Sequence, residues 1–193
     1  MKISRLLPFV LLLSVIAAAQ EITSVLRPPK GSPVGLVVFE DLQCPQCARA
    51  APLLAQASQT YKIPLVQHDF PLPMHNWSMN AAIIARYFDT KSKATGDAFR
   101  LYVFDHQREI LPDNLRGFAE KFAAEHKVDL PFVVDPTGKL SGLVTADRDL
   151  GRSINLDHTP TIFVVTDRKT ANPYVEVKDL SQLYATIDAV KRQ

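Results

Sequence analysis

The chain has 193 residues, of which 47% are hydrophobic, and its 22 basic and 20 acidic side chains give a net charge of +2. The two signs are interspersed, which argues against the basic stripe of a nucleic-acid-binding protein and against an acidic tail. The apolar content is sufficient for the core of one domain.

The first nineteen residues have the pattern of a secretory signal peptide. Lys2 and Arg5 precede the apolar run from Leu6 to Ile16, and three alanines follow before a cleavage point at Gln20. About eleven apolar residues are too few to cross a bilayer comfortably. We therefore predict cleavage after residue 19 and export to the periplasm or the medium, with an uncleaved N-terminal anchor as the alternative.

Residues 20–33 form a polar, proline-containing lead-in to the first regular elements. The β-branched run from Val34 to Phe39 is typical of a buried strand, and Cys44 to Tyr61 has the spacing of a helix that Pro52 is expected to kink. Ile63 to Phe70 predicts a second strand. Because a helix of crossover length separates the two strands, they are expected to pair in parallel.

The pattern from Asn76 to Ile154 is helical. Asp113 is placed to cap a helix from Asn114 to Lys127, and the last helix of this block is expected near Pro136 to Arg152. We interpret residues 76–154 as a helical insertion.

The C-terminal part predicts a hairpin and a closing helix. Thr161 to Thr166 and Tyr174 to Val177 are short β-rich runs on either side of a turn-like segment, and Leu180 to Lys191 has helical spacing. The element order predicts an α/β fold, with a mixed central sheet flanked by helices and interrupted by the helical insertion. One domain is expected over residues 34–193.

The two cysteines of the chain, Cys44 and Cys47, stand at the predicted junction between the first strand and its helix. A CxxC pair at this position indicates a redox-active dithiol. The helix dipole and unpaired backbone N–H groups favour a thiolate at Cys44. Cys47 lies one turn deeper on the same face. We therefore predict that Cys44 is the exposed nucleophile and Cys47 the buried resolving thiol.

Two other interpretations of the pair stay open. A structural disulfide normally closes a much longer loop, so a ring this small would add little stability. A metal site would need further ligands, for which His68, His75 and His158 are candidates. Neither a metal nor a cofactor belongs to the preferred interpretation.

The segments Val38 to Cys47, Phe70 to Ala85 and Asp157 to Phe163 resemble the extracytoplasmic bacterial thioredoxin-like proteins related to the disulfide-bond oxidase DsbA. The resemblance covers about residues 31–193. It implies a thioredoxin fold in which the Thr159-Pro160 bond is cis and lies beside the CxxC. Backbone at Thr159 and Pro160 would then pair with a bound substrate chain.

The resemblance also assigns residues that tune the dithiol. Many thioredoxin-like proteins have a buried acid where this chain has Val38, so Glu40 or Asp41 would have to replace it; the alternative for Asp41 is a solvated carboxylate that caps the redox helix. Apart from the resemblance, a protonated His158 placed beside the thiolate would lower the pKa of Cys44; the alternative is a solvated loop histidine. The residues between the cysteines, Pro45 and Gln46, bring no charge and predict a milder oxidant than a Pro-His pair.

These observations predict an exported thiol–disulfide oxidoreductase, a dithiol oxidase for reduced or unfolded secreted proteins. A membrane redox partner, implied by the resemblance alone, would restore the Cys44–Cys47 disulfide. No nucleic acid is expected as a partner, and the short lead-in favours a monomer. The alternatives are a disulfide isomerase or reductase that a membrane partner keeps reduced and, in another class, a copper-binding metallochaperone module.

Overall fold

The computed structural model describes residues 25–170 and 172–193, so the predicted signal peptide lies outside the described residues. Its centre is a mixed four-stranded sheet with the strand order β2-β1-β3-β4. The strands are β1 (Val34–Glu40), β2 (Leu65–Asp69), β3 (Thr161–Thr166) and β4 (Tyr174–Glu176).

Strand pairing follows the sequence pattern. β1 runs parallel to β2, with Leu36 opposite Leu65, and antiparallel to β3, with Val34 opposite Thr166. β4 pairs antiparallel with β3. The predicted parallel pair and the predicted hairpin are both confirmed.

Six α-helices surround the sheet within the described residues. One lies between β1 and β2, four lie between β2 and β3, and one ends the chain after a single 3-10 turn at Leu180–Gln182. They are α1 (Pro45–Tyr61), α2 (Ser78–Asp89), α3 (Lys93–Asp105), α4 (Leu115–Glu125), α5 (Lys139–Ser153) and α6 (Leu183–Arg192). The predicted α/β thioredoxin fold with a helical block is confirmed.

The start of α4 differs from the sequence prediction. The residue that precedes α4 is Asn114 rather than Asp113. The Asn114 side chain accepts from the N–H of Leu111 and donates to the carbonyl of Glu109, which closes a local turn before the helix begins. As predicted, Pro52 lies inside α1 and does not end it, since the helix continues to Tyr61.

The two faces of β1 pack against different helices, because successive side chains of a strand point to opposite sides. Leu36 and Val38 belong to a buried cluster with Leu54 of α1 and Ile187 of α6. Phe39 packs on the other face, where Gly151 of α5 approaches the sheet. A Cβ at residue 151 would lie 2.5 Å from the ring of Phe70, so only glycine allows this contact.

The helices between β2 and β3 share a core that reaches the CxxC. Phe88, Phe99 and Phe122 form a ring cluster with centroid distances from 4.7 to 5.1 Å. Trp77 is buried in the same cluster as both cysteines, whereas Met74 is 72% exposed. Trp77 therefore packs the core, and Met74 faces solvent.

Buried charges fix α2 and α3 to the edge of the sheet. The guanidinium of Arg100 donates to both carboxylate oxygens of Asp89, at 2.8 and 2.9 Å. Arg86 donates to Asp69 of β2 and to Asp147 of α5. A Cβ at Gly96 would lie 1.8 Å from the Asp89 carboxylate, so the glycine is what allows this close approach.

Candidate active site

Cys44 is the N-cap residue of α1, and Cys47 lies in the first turn of the helix. Pro45 occupies the first helical position, where a missing N–H removes no helical hydrogen bond. Both cysteines are free thiols. The strand-to-helix junction predicted for the pair is therefore where the structure places it.

The prediction that Cys44 is exposed is wrong. Only 4% of Cys44 is accessible, compared with 1% of Cys47. The loop before β3 covers the first sulfur: Cys44 Sγ lies 3.3 Å from the carbonyl oxygen of Thr159 and 3.4 Å from Oε1 of Gln46. Sequence spacing places Cys44 at the helix end, but a segment 115 residues away determines its accessibility.

The thiol of Cys44 is strongly acidic. Its pKa is lowered from 9.0 to about 5, principally because the Cys47 thiol donates a hydrogen bond to it. Burial acts in the opposite direction, while Thr159 and the backbone N–H groups of Cys47 and Gln46 lower the pKa further. Cys44 is therefore a thiolate near neutral pH, as the helix-end position predicts.

Cys47 behaves in the opposite way. Burial raises the pKa of its thiol far above the ordinary value, and the hydrogen bond to Cys44 and the charge on Cys44 raise it further. The negative charge of the reduced pair thus resides on one sulfur, the one at the helix end. Such a pair has one good leaving group and one protonated thiol.

Asp41 is buried beside the two cysteines, and its carboxylate accepts several hydrogen bonds. It is 1% exposed, and its backbone N–H points to Cys47 Sγ at 3.4 Å. It is not a solvated helix cap, because it is buried and because the N-cap residue of α1 is Cys44. Its carboxylate instead accepts from the backbone N–H groups of Gln43 and Leu72, from Nδ1 of His75 and from the hydroxyl of Ser78.

The Thr159–Pro160 peptide bond is cis. Thr159 is 8% exposed, and its carbonyl oxygen faces the Cys44 thiol. The hydroxyl oxygen of Thr159 is buried and helps to lower the pKa of Cys44, although no hydrogen bond of ordinary geometry joins it to a described residue. The loop of Thr159 and Pro160 thus contributes two polar groups next to the reactive sulfur.

His158 and Glu40 occupy contrasting environments. The side chain of His158 is 63% exposed and is paired with Asp157 at 2.9 Å, and it is not among the groups that set the pKa of Cys44. Glu40 is buried at 3% exposure, and burial raises its pKa to about 7 against the opposing charge of Arg100. Its charge is one of the causes that raise the pKa of Cys47.

Two glutamines that the sequence did not single out attach the helical block to the CxxC loop. Gln43 accepts from the backbone N–H of Trp77 at 2.9 Å, and Gln107 donates to the carbonyl of Leu42 at 2.8 Å. No sequence signal marks them, because each partner is more than thirty residues away. They hold the loop that carries Cys44 against α2 and α3.

The three histidines considered as metal ligands are each paired elsewhere. His68 bonds to Asp147, His75 to Asp41 and His158 to Asp157. Over the part of the chain that the structure describes, no three His, Cys, Asp or Glu side chains are grouped so as to hold a metal ion.

Among the described residues, no helix is long and apolar enough to cross a membrane.

The structure combines a mixed sheet, a helix that begins at an acidic cysteine, a buried second thiol and a cis-proline loop against the first sulfur. Together they define a dithiol site on a thioredoxin fold. The sequence comparison gives the family. The thioredoxin family model matches residues 23–189, and the chain belongs to that family.

Solved structures of other proteins share this fold. The thiol–disulfide exchange protein alpha-DsbA2 from Wolbachia pipientis has a TM-score of 0.71 at 18% identity and covers 90% of this chain and 94% of its own. A periplasmic thioredoxin-like protein from Salmonella enterica serovar Typhimurium has a TM-score of 0.67 at 17% identity, with 85% and 87% covered.

A curated relative is much longer than this chain. The Na(+)/H(+) antiporter NhaA 3 of Salinispora tropica is 26% identical over 152 residues, which are 77% of this chain and 22% of the antiporter. The chain thus matches about a fifth of the length of that relative.

Proposed function

We propose that the protein is an exported dithiol oxidase that forms disulfides in reduced or unfolded secreted proteins. The observation that carries the proposal is the separation of the two thiol pKa values, lowered to about 5 at Cys44 and raised by burial at Cys47. A stabilised Cys44 thiolate favours the reduced protein, and a dithiol that is stable when reduced is a strong oxidant as a disulfide.

The proposed cycle starts from the Cys44–Cys47 disulfide. A substrate thiolate attacks Cys44 Sγ, a new sulfur–sulfur bond forms, and the Cys44–Cys47 bond breaks with its electron pair on Cys47, which takes up a proton. A second substrate thiolate then attacks the substrate sulfur of the mixed disulfide, and Cys44 leaves as its stabilised thiolate. The substrate loses two electrons and the protein gains them.

Substrate backbone is proposed to dock at Thr159 and Pro160. The support is their position: Thr159 already places its carbonyl oxygen 3.3 Å from Cys44 Sγ and carries a buried hydroxyl without a partner among the described residues. Asp41 is proposed to position Cys47, through the 3.4 Å contact of its N–H with the sulfur. For Pro45, Gln46 and His158 a tuning role stays a prediction.

Export rests on the pattern of residues 1–19 and is in keeping with the printed description of the Salmonella structure as periplasmic. In an exported protein, a membrane redox partner would accept the two electrons and restore the disulfide. We propose that the protein acts as a monomer without nucleic acid.

The reduction potential of the Cys44–Cys47 pair tests the direction of the reaction. The protein from Gln20 onward is equilibrated with glutathione mixtures, and the dithiol fraction is read from the mass shift after alkylation. A potential near about −120 mV supports the oxidase, whereas one near about −270 mV indicates a reductase and overturns the proposal. A metal bound at one equivalent without a reversible dithiol would indicate the metallochaperone.

Trapping tests the order of the two cysteines. Cys47→Ser is first converted to a mixed disulfide between Cys44 and glutathione, and free glutathione is removed. The thiolate of a reduced secreted protein with one cysteine is then expected to attack Cys44 Sγ and release glutathione thiolate, and the new mixed disulfide accumulates because no second substrate thiol resolves it. The matched control Cys44→Ser leaves only the buried, protonated thiol and is expected to trap none. Equal trapping by the two variants would refute the assignment of Cys44 as the attacked sulfur.

A further inference from the structure

A cavity of about 360 Å³ lies between α1, α3 and the edge strand β2, apart from the dithiol. Its size is within the usual range of small-molecule sites. Most of its walls are apolar. The apolar side chains that line it are Ala51, Leu54, Ala55, Pro64, Leu65, Leu101 and Phe104.

The polar floor of the cavity is formed by Glu40 and Arg100. The Arg100 side chain is only 3% exposed, and its Nε is buried without a hydrogen-bond partner among the described residues. Oε1 of Glu40 lies 3.8 Å from this Nε and accepts from Gln67 at 3.3 Å. The other two nitrogens of the guanidinium are bound to Asp89.

One ligand group could bind both residues if it accepts a hydrogen bond from Arg100 and donates one to Glu40. Nε of Arg100 can only donate, and the carboxylate of Glu40 can only accept. One oxygen at about 2.9 Å from each of them spans a 3.8 Å gap. A hydroxyl group fits, since its oxygen accepts one hydrogen bond while its proton is donated to the other partner.

Charged head groups fit this floor less well. An anion would meet the carboxylates of Glu40 and Asp97, and Asp69 adds further negative charge close by. An ammonium group would meet the buried guanidinium of Arg100. The cationic residue at the rim, Lys93, is already held by Gln67 at 2.9 Å and by Asp97 at 2.5 Å. A neutral head avoids both repulsions.

We infer that this cavity binds a small, neutral, apolar molecule that carries one hydroxyl group, of the size and chemistry of an alkylphenol. The hydroxyl bridges Nε of Arg100 and the carboxylate of Glu40. The apolar body lies between Leu54 of α1 and Leu101 and Phe104 of α3. This inference does not rest on the redox function proposed above, although Glu40 is one of the groups that raise the pKa of Cys47.

The bridge makes binding depend on pH. The pKa of Glu40 is raised to about 7 by burial, and the groups that act on it are Arg100 and Asp97 of α3 and Asp69 of β2. The charge of Glu40 in turn raises the pKa of Cys47 on α1. An ionised Glu40 accepts the hydrogen bond of the ligand hydroxyl more strongly than a neutral carboxyl does, so affinity rises as the pH increases through about 7, by at most about tenfold between about pH 6 and about pH 8.

The probe for the test is 4-ethylphenol, whose own pKa of about 10 keeps it neutral throughout this range. Titration into the full chain is followed by the NMR signal of the Arg100 side-chain N–H and by the dissociation constant. We expect saturable binding that is at least about fivefold tighter than that of ethylbenzene, which lacks the hydroxyl. Binding of 4-ethylbenzoate and 4-ethylbenzylamine is expected to be weaker too.

Two leucines provide a matched pair of variants. Leu101→Trp fills the cavity from α3 and should abolish binding, whereas Leu143→Trp, on α5 and similarly exposed, should not. Glu40→Gln should remove the pH dependence. Equal affinity for ethylbenzene, unchanged binding by Leu101→Trp, or no binding of any probe because the floor holds water alone would each overturn the inference.

Discussion

The thiol of Cys47 is the principal group that lowers the pKa of Cys44. Its hydrogen bond is the largest of the causes that lower the Cys44 pKa, and Thr159 comes after it. Replacing Cys47 with alanine removes the donor, whereas serine keeps a hydroxyl at the same place. We expect the Cys44 pKa to rise most in Cys47→Ala, less in Cys47→Ser and also less in Thr159→Val.

The size of the effect follows from the shift in the reduced protein. A pKa lowered from 9.0 to about 5 changes the ratio of thiolate to thiol by about ten-thousandfold. Cys44 is then about 99% ionised at about pH 7, and half ionised near its pKa. If Cys47→Ala raises the pKa by about one unit or more, the ionised fraction at about pH 5 falls from about one half to about one tenth.

The assay is a pH titration of the ultraviolet absorbance of the thiolate, with the rate of alkylation by iodoacetamide as a second readout. The pH midpoint is compared rather than the absolute rate, because burial of Cys44 slows every reagent and nucleophilicity falls with the pKa. In the reduced wild type the second thiol does not interfere, since burial raises the pKa of Cys47 far above the range of the titration.

Two results would refute this account of the thiolate. A wild-type midpoint near the ordinary value of 9.0 would show that the helix end and its donors do not stabilise the anion. A midpoint that is unchanged in Cys47→Ala would show that the donor is some other group. In the expected case, the order of the Cys44 pKa values in the three variants ranks the contributions of the removed groups to the acidity of Cys44.

Three further substitutions test the surroundings of the site. Asp41→Asn puts an amide among four donors and should lower the free energy of unfolding in urea by at least about 2 kcal/mol; a loss below about 0.5 kcal/mol would contradict its structural role. Gly96→Ala should destabilise the protein because the new Cβ collides with Asp89, whereas Gly117→Ala, with open space around it, should stabilise it by up to about 1 kcal/mol. His158→Ala should leave the midpoint of the thiolate titration within about half a unit of wild type, because this exposed side chain pairs with its neighbour; a larger shift would restore the tuning role.

Local sequence patterns were sufficient to predict most of the secondary structure. The buried run from Val34, the helix after Cys44 and the β-rich run from Thr161 all lie where the sequence predicts them, because apolar periodicity reports which side of an element is buried. The parallel pairing of β1 and β2 followed from the length of the connection between them. Boundaries set by side-chain turns, as at Asn114, were missed by one residue.

The candidate site was predicted in its identity but not in its environment. The sequence left open whether Asp41 tunes the dithiol or is a solvated cap, because its partners Leu72, His75 and Ser78 lie 31 to 37 residues away. Glu40 has no local feature that indicates its pairing with Arg100. Such contacts depend on how the helices between β2 and β3 pack on the sheet.

The sequence by itself determined the elements, their order and the position of the dithiol, because the periodicity of apolar residues and the end of a helix are local properties. Only the tertiary structure decided that Cys44 is covered by the Thr159 loop and that the His158 side chain is exposed and paired with Asp157. It also decided that a cavity lies above Glu40 and Arg100. Burial and pairing of polar groups depend on residues distant in the chain, since long-range packing brings them together.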